Sequence, residues 1–312
     1  MSIPLKDLFK AEQLERFCLK LIAGEGGLDR VLSSSRVQKP GLILAGLLDE
    51  LHPDRIQIFG AAEIGYLEGL AGEAFATALG PIERGLFPAV VVTRDARPPD
   101  KLVEICRNKE TPLFITTLTS AVFIEGITKY LEERFAPSIT IHGVLMDVLG
   151  AGILITGKSG IGKSECALEM ISKGYRLVSD DVVVVRRMPH SILFGSSVDL
   201  VRYHMEIRGL GIVNIKDIFG ITAIRDKKQM DLVVELVKWE PESEYERLGF
   251  EERSYDILGV SLPYLRVPVI PGRSVSTILE VAARNQILKI MGQNPTMELQ
   301  RNLDEALKEP VR

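Results

Sequence analysis

Gly157-Lys-Ser-Gly-Ile-Gly-Lys-Ser164 has the residue types and spacing of a phosphate-binding loop, GxxxxGK[ST]. Residue frequencies give about 0.01 chance matches in a chain of this length, so the pattern is informative by itself. Its glycines let the backbone turn until several N–H groups point at phosphate oxygens, and a helix that follows adds its dipole. Lys163 supplies a mobile positive charge for the terminal phosphates. The Ser164 hydroxyl can join the coordination of Mg²⁺. The flanking sequence suits this: an apolar strand-like run, Gly152–Thr156, leads in, and a helix-like run, Lys163–Lys173, leads out. The plainer alternative is a glycine-rich strand-to-helix turn. A bound phosphorylated nucleotide is the expectation.

Two carboxylates follow close behind. Gly174 ends the helix, Tyr175–Ser179 reads as a strand that delivers Asp180 and Asp181, and the apolar run Val182–Val185 continues directly. In switch and motor NTPases the metal-binding acid lies much further along the chain. Here a pair arrives within one βαβ-like step of the loop. One acid can hold the metal while the other stands near the γ-phosphate and takes a proton from an attacking hydroxyl. That chemistry is phosphoryl transfer. Without the loop, the same pair would read as a turn with two solvated acids.

The elements that must position these groups belong to a chain of 312 residues, long enough for about two domains of roughly 100–200 residues each. A hydrophobic fraction of 46% and a charged fraction of 26% are those of a globular protein with sizeable cores. Lys+Arg number 38 against Asp+Glu 42, a net charge of −4, which argues against a nucleic-acid or anionic-membrane binder. No apolar run approaches the roughly 18 residues of a membrane span. Lys6, Asp7, Lys10 and Glu12 leave no signal peptide evident, and Cys18, Cys106 and Cys166 form no CxxC. Together these predict a soluble protein of a reducing, cytoplasmic compartment.

Residues 1–135 alternate in the α/β manner. Pro88–Thr93 and Leu113–Thr117 read as buried strands, and Asp100–Lys109 and Ser120–Phe135 as helices. This half has no phosphate loop and no metal-like cluster, so it is expected to regulate, bind or assemble rather than catalyse. A boundary is expected near Ala136-Pro137-Ser138, with the second domain over 136–312. There the short strands broken by Gly143 and by Gly150-Ala-Gly152 suggest hairpins more than an uninterrupted parallel sheet. Before the last long helix stands Pro271-Gly272, and Val275, Ile278, Leu279, Ala282 and Ile290 give that helix its apolar face.

Taken together, His142-Gly-Val-Leu145, Gly157–Ser164 with Glu165, Leu177-Val-Ser-Asp-Asp181 and the ten-residue segment Met205–Asn214 resemble the bacterial HPr kinase/phosphorylase family. Arg55–Gly60, Val90–Arg94 and Ala136-Pro137 extend the resemblance through the first half, so it covers essentially the whole chain. It implies an α/β protein with an N-terminal regulatory or assembly domain and a C-terminal P-loop kinase domain related to phosphoenolpyruvate carboxykinase. It implies a bifunctional enzyme acting on one seryl residue of HPr, the phosphocarrier of the sugar phosphotransferase system, or on an HPr-like paralogue. Phosphorylation would use ATP or pyrophosphate with Mg²⁺ (Mn²⁺ is an alternative). Phosphorolysis by inorganic phosphate would release pyrophosphate. A homohexamer is implied as well.

Carried over residue by residue, the resemblance makes Gly157, Lys158, Ser159, Gly160, Ile161, Gly162, Lys163 and Ser164 the nucleotide site. Lys163 would act on the phosphates. Asp181 would be the base in the forward direction and the acid in reverse, with Asp180 its metal-side partner, an assignment the two could exchange. Ser164 and Glu206 would be metal ligands. His142 would tune the acid/base carboxylate or orient phosphate, and Arg247 would neutralise the transferring phosphate. Arg208 and Asn214 would be further contacts. One position departs from the family: Pro268-Val-Ile-Pro-Gly-Arg273 carries Ile270 where an arginine is usual, in a stretch associated with dephosphorylation. An apolar side chain cannot hold a phosphate. The competing readings are a kinase-only member, a P-loop kinase of a small metabolite, and an ATP-gated scaffold whose Asp pair only holds magnesium.

Overall fold

A computed structural model describes residues 2–84, 87–240, 253–295, 297–299, 301 and 305. The chain divides into units of residues 1–136 and 137–312, one residue from the expected boundary. In the first unit five strands form one sheet: β1 (Leu19–Ala23), β2 (Val37–Gln38), β3 (Ile56–Phe59), β4 (Val90–Val92) and β5 (Leu113–Thr116), in the order β1-β5-β4-β3-β2. β2 to β5 run parallel and β1 lies antiparallel to β5. Every residue of β3 and β4 is buried, as a strand covered on both faces requires. Helices α1 (Ala61–Glu68), α2 (Gly72–Glu83) and α3 (Asp100–Asn108) cover one face around Phe59, Leu79 and Leu102. Helix α4 (Ser120–Phe135) covers the other. Its start is set by Thr119, whose hydroxyl accepts the Val122 N–H at 3.4 Å, and it buries Phe123, Ile127, Tyr130 and Leu131, one face of a 3.6-residue repeat.

At the carboxyl ends of these strands the polar groups pair with one another. The Gly60 N–H donates to Glu63 at 2.9 Å, and Lys39 closes on the same carboxylate at 3.3 Å. The Thr93 hydroxyl, fully buried, donates to the Phe59 carbonyl at 3.2 Å and shares a hydrogen bond with Ser120 at 2.7 Å.

The second unit stacks two sheets. Its strands are β6 (Ser138–His142), β7 (Val144–Val148), β8 (Ala151–Gly157), β9 (Arg176–Ser179), β10 (Val182–Met188), β11 (Ile192–Ser197), β12 (His204–Ile207), β13 (Gly211–Asn214), β14 (Lys227–Gln229), β15 (Leu232–Lys238), β16 (Arg253–Ile257) and β17 (Val260–Val269). The larger sheet has the order β9-β7-β8-β15-β17-β16, and the smaller β14-β11-β10-β6. Helix α5 (Lys163–Ser172) buries Cys166, Ala167, Met170 and Ile171 against Met146, Ile153, Ile155 and Val234 on one face of the larger sheet. On its other face Leu145, Leu154 and Val233 meet Val183, Val185 and Leu193 of the smaller sheet.

The glycine breaks do more than make hairpins. β7 and β8 do form one, turning at Leu149-Gly150 with φ of 56° and 94°. β6, however, does not pair with β7: the chain changes sheets at Gly143, where a Cβ would meet the Ile155 carbonyl at 2.6 Å. β8 is flanked by an antiparallel neighbour and by parallel β15, so the larger sheet is mixed. The final helix, α7 (Val275–Ile290), buries Leu279 and Ala283, but Ile290 at its last residue is 61% exposed and lies outside the core it was expected to face.

Candidate functional site

The phosphate loop leaves β8 at Gly157 and enters α5 at Lys163. Gly157, Gly160 and Gly162 have φ of 133°, 76° and 104°, a region costly for residues with a Cβ. At Gly157 space also forbids a side chain, since a Cβ would stand 2.4 Å from the Leu236 carbonyl. The Lys163 ammonium donates to the Gly157 and Lys158 carbonyls at 3.1 and 3.3 Å, folded back along the rim of the loop. The first turn of α5 leaves its N–H groups for an anion, as every helix start does.

β8 and β9 each lie antiparallel to β7, so they run parallel to one another with β7 between them. Their carboxyl ends therefore emerge on the same edge, which brings Asp180 and Asp181 beside the loop. The two acids have opposite environments. Asp180 is 7% exposed, and its carboxylate accepts the Ser164 hydroxyl at 2.9 and 3.2 Å. Burial pushes its carboxyl above the ordinary range, while hydrogen bonds from Ser164 and from the Glu206 and Asp181 N–H groups pull the other way. Asp181 is an exposed side chain on a strained backbone. Its φ is 63°, and the Val182 N–H reaches back to the Asp180 carbonyl at 2.7 Å, a three-residue γ-turn.

That turn is held from outside. The Gly143 N–H donates to the Asp181 carbonyl at 2.9 Å, and β6 pairs with β10 so that His142 lies opposite Val182. His142 Nδ1 then stands 3.8 Å from Asp181 Oδ1, with both side chains largely in solvent. Opposite lies the β12–β13 hairpin. Met205 is buried in the core on α5 and Ile207 packs against it, so strand alternation turns Glu206 and Arg208 to the other face, toward the acids. A cleft of about 160 Å³ is lined by Ser159, Gly160, Lys163, Ser164, Asp180, Asp181, Glu206 and Arg208, among others.

Among the described residues no group of three or more His, Cys, Asp or Glu side chains forms a complete metal cage. The donors present suit a hard divalent cation all the same. The Ser164 hydroxyl and Asp180 carboxylate are already within 3 Å of one another, both are oxygen donors, and phosphate and water would complete the shell.

Most expected site residues converge here: the whole loop, His142, Lys163, Ser164, Asp180, Asp181, Glu206 and Arg208. Arg247 lies outside the described residues. Asn214 points elsewhere: its side-chain Oδ1 accepts the Lys216 and Asp217 N–H groups at 3.0 and 3.3 Å and caps the short helix α6 (Ile215–Phe219). Cys166 is 6% exposed in the core, and burial pushes its thiol up to about 12, so it packs rather than reacts. Ile270 is half-buried in a turn closed by the Arg273 N–H on its carbonyl at 3.1 Å.

One connection went unread in the sequence. The Lys173 ammonium donates to fully buried Ser276 at 2.6 Å, and Ser274, the cap of α7, donates to Glu169 at 3.0 Å. These bonds tie the helix after the phosphate loop to the helix after Pro268–Arg273. Lys and Glu spaced four apart on α5 were the visible signal, but a sequence separation of about a hundred residues hid their partners.

Comparison with known proteins gives this arrangement a family. The descriptions "HPr Serine kinase N terminus" and "HPr Serine kinase C-terminal domain" match residues 3–131 and 133–303. The chain belongs to the HPr serine kinase family. A relative from Geobacter sulfurreducens, named HPr kinase/phosphorylase, is 47% identical over 91% of this chain and 89% of its own. One of the same name from Geobacillus thermodenitrificans is 39% identical over 96% and 97%. A solved HPr(Ser) kinase/phosphatase from Coxiella burnetii is 30% identical, with a TM-score of 0.47 over 55% of this chain and 99% of that one. The two matched family segments and the sheets of the chain itself make this HPr serine kinase a mixed α/β chain of two domains.

Proposed function

We propose that this protein transfers a phosphoryl group from ATP, or from pyrophosphate, to a seryl hydroxyl of HPr or an HPr-like paralogue, and returns it to inorganic phosphate as pyrophosphate. The observation that carries the reading is the division of labour between adjacent acids. Asp180 is buried on Ser164 of the phosphate loop, and Asp181 is exposed beside His142 on the same cleft. This supports giving the metal side to Asp180 and the side of the acceptor hydroxyl to Asp181. Family membership and the names of the relatives supply HPr as the acceptor.

The loop's N–H groups and Lys163 would hold the β- and γ-phosphates. Lys163 leaves the Gly157 and Lys158 carbonyls to do so. Mg²⁺ or Mn²⁺, when bound by Ser164, Asp180 and Glu206, supplies positive charge to the phosphate oxygens. The serine Oγ attacks the γ-phosphorus, its proton passes to Asp181, and the bond to the leaving phosphate oxygen breaks with its electron pair. His142 orients Asp181 or phosphate. In reverse, an oxygen of inorganic phosphate attacks phosphoserine and Asp181 returns the proton to the serine. A homohexamer in the cytoplasm, acting in sugar phosphotransfer, completes the reading.

A second reading rests on Ile270, which cannot contact phosphate: a family member that phosphorylates and does not reverse. The deciding experiment follows HPr by intact mass with this protein, ATP and Mg²⁺, then excess inorganic phosphate. Gain of one phosphoryl group and its loss with release of pyrophosphate is the expected result. Gain without loss selects the kinase-only reading. No gain with several HPr sources, despite ATP binding, overturns both.

A further inference from the structure

We infer that Trp239 and Ile270 form the subsite for the base of the nucleotide donor, with the purine ring laid against the Trp239 indole. This deepens the reading just given and rests on it. The chain has a single tryptophan and leaves it 45% exposed, although Trp is ordinarily among the best-covered side chains. It stands one residue past β15, whose Leu236 carbonyl borders Gly157 at the root of the phosphate loop. β15 and β17 run parallel with Lys238 opposite Val269, so Trp239 and Ile270 are the next residues out on neighbouring strand ends, about 5 Å apart. Ile270 is half-buried, its carbonyl fixed by the Arg273 N–H at 3.1 Å, and Val269 below it packs on the core with Val275 and Ile278. The two side chains make a small apolar shelf at the edge of the site.

The chemistry of the transfer says what reaches that shelf. The attacking and leaving oxygens stand in line on opposite sides of the γ-phosphorus. Asp181, on the acceptor's side, follows β9, while the phosphate loop rises from β8 in a sheet of order β9-β7-β8-β15-β17-β16. An acceptor on the β9 side sends the leaving ADP toward β15 and β17. Those strands run parallel to β8 and to one another, so their carboxyl ends open on the loop's own edge. Gly157 is level with Leu236, which puts Trp239 one strand over and about 10 Å further out. The loop climbs from the same level, so the shelf lies beside the phosphates rather than beneath them. What arrives there is the uncharged end of ATP. An indole face and an isoleucine suit a flat aromatic ring, and neither holds a phosphate. Stacking of this kind reads the face of a ring and tolerates different bases.

Pyrophosphate, which has no base, supplies the control. Isothermal titration calorimetry with Mg²⁺ measures ADP and pyrophosphate on the full-length wild type, Trp239→Ala, Trp239→Phe and Ile270→Ala. Trp239→Ala should weaken ADP by about 5-fold or more and pyrophosphate by less than about 2-fold. Trp239→Phe keeps a ring and should bind ADP more tightly than Trp239→Ala. Ile270→Ala should weaken ADP by about 3-fold and leave pyrophosphate unchanged. In transfer to HPr, the KM of Trp239→Ala for ATP should rise with kcat held, and its KM for pyrophosphate should not move. A loss for ADP below about 5-fold in Trp239→Ala overturns the inference. So does a loss for pyrophosphate above about 2-fold, which makes Trp239 a support of the loop, and so does a Trp239→Phe no better for ADP than Trp239→Ala. Should the wild type fail on every HPr source, the proposed function is what has failed. The calorimetry, which needs no HPr, then still decides for or against the subsite.

Discussion

Both units set the carboxyl ends of strands beside helix starts, and they treat those ends in opposite ways. In the first unit the groups around Gly60 are spent on one another: Glu63 on the Gly60 N–H and Lys39, Thr93 on Phe59 and Ser120. In the second, Arg208 is left without a partner among the described residues, Glu206 engages through its backbone, and among the described residues the Asp181 carboxylate meets only His142, at 3.8 Å. A closed edge stabilises its own fold. An open edge keeps donors and charges for something that arrives later, and its buried member, Asp180, raises the cost of waiting. The difference separates a structural end of a sheet from a reactive one more sharply than the fold does.

The largest effect should come from removing the proton acceptor at the open edge. Asp181→Asn keeps the size and the γ-turn but takes no proton from serine. Transfer to HPr should fall by about 10³-fold, with affinity for ATP within about 3-fold of wild type. Near-normal transfer would move the base to Asp180 and erase the division of labour between the two acids.

Asp180 tests the claim that the open edge costs stability. Its folded pKa is raised by burial above the unfolded value, so between those two values the folded state holds the extra proton and stability falls as pH rises through the folded pKa. The penalty is absent well below the ordinary carboxylate range and fully present at neutral pH. Asp180→Asn should therefore raise the Tm of the nucleotide-free protein at pH 7, with a difference that shrinks toward pH 4. Metal-dependent transfer should be lost in the same variant. A Tm unchanged at both pH values would mean that the Ser164, Asp181 and Glu206 bonds already offset the burial.

What was legible in the sequence was what is local in it. The loop, the helix from Ser120 to Phe135 and the Asp pair each depend on neighbours a few residues away, and their residue types announce them. Pairings between distant segments did not show. Nothing in Val144–Val148 says that it inserts between β8 and β9, although that insertion is why the acids reach the loop. Gly143 read as a break in a hairpin, because only the Ile155 carbonyl across the sheet reveals that the chain changes layers there. Asn214 sat in the most specific segment and proved to be a helix cap, since Asn at a strand-to-helix junction serves local geometry as readily as chemistry. Arg208 was legible as part of a motif, and its distinction came only from what surrounds it.

The bonds between α5 and α7 make an intermediate case, a buried polar contact close to the reactive edge but closed. Ser276→Ala removes the fully buried hydroxyl that the exposed Lys173 reaches at 2.6 Å, though Glu169 at 3.3 Å and Thr277 at 3.5 Å remain as its partners. The expected cost is about 1–2 kcal/mol, seen as a Tm lower by roughly 2–6 °C. A drop in kcat larger than about 5-fold would show that this contact also sets the phosphate loop, placing it with the open edge.

The smallest effect should come from the closed edge of the first unit. Gly60 has φ of −98°, an ordinary value, so an alanine there meets no backbone strain. Its Cβ would nevertheless stand 2.7 Å from Ser120 Oγ and 3.2 Å from Glu63 Oε2. Ser120 is tied to buried Thr93 and Glu63 to the Gly60 N–H, so neither can swing away without breaking a bond of the cluster. Gly60→Ala should cost about 1 kcal/mol, a few degrees of Tm, and leave kcat for transfer to HPr within about 2-fold of wild type. Differential scanning calorimetry beside the mass assay reads both. A large fall in kcat with Tm unchanged would break the comparison, because it would mean that this edge too is kept for a partner and that mutual satisfaction of polar groups does not by itself mark a structural end.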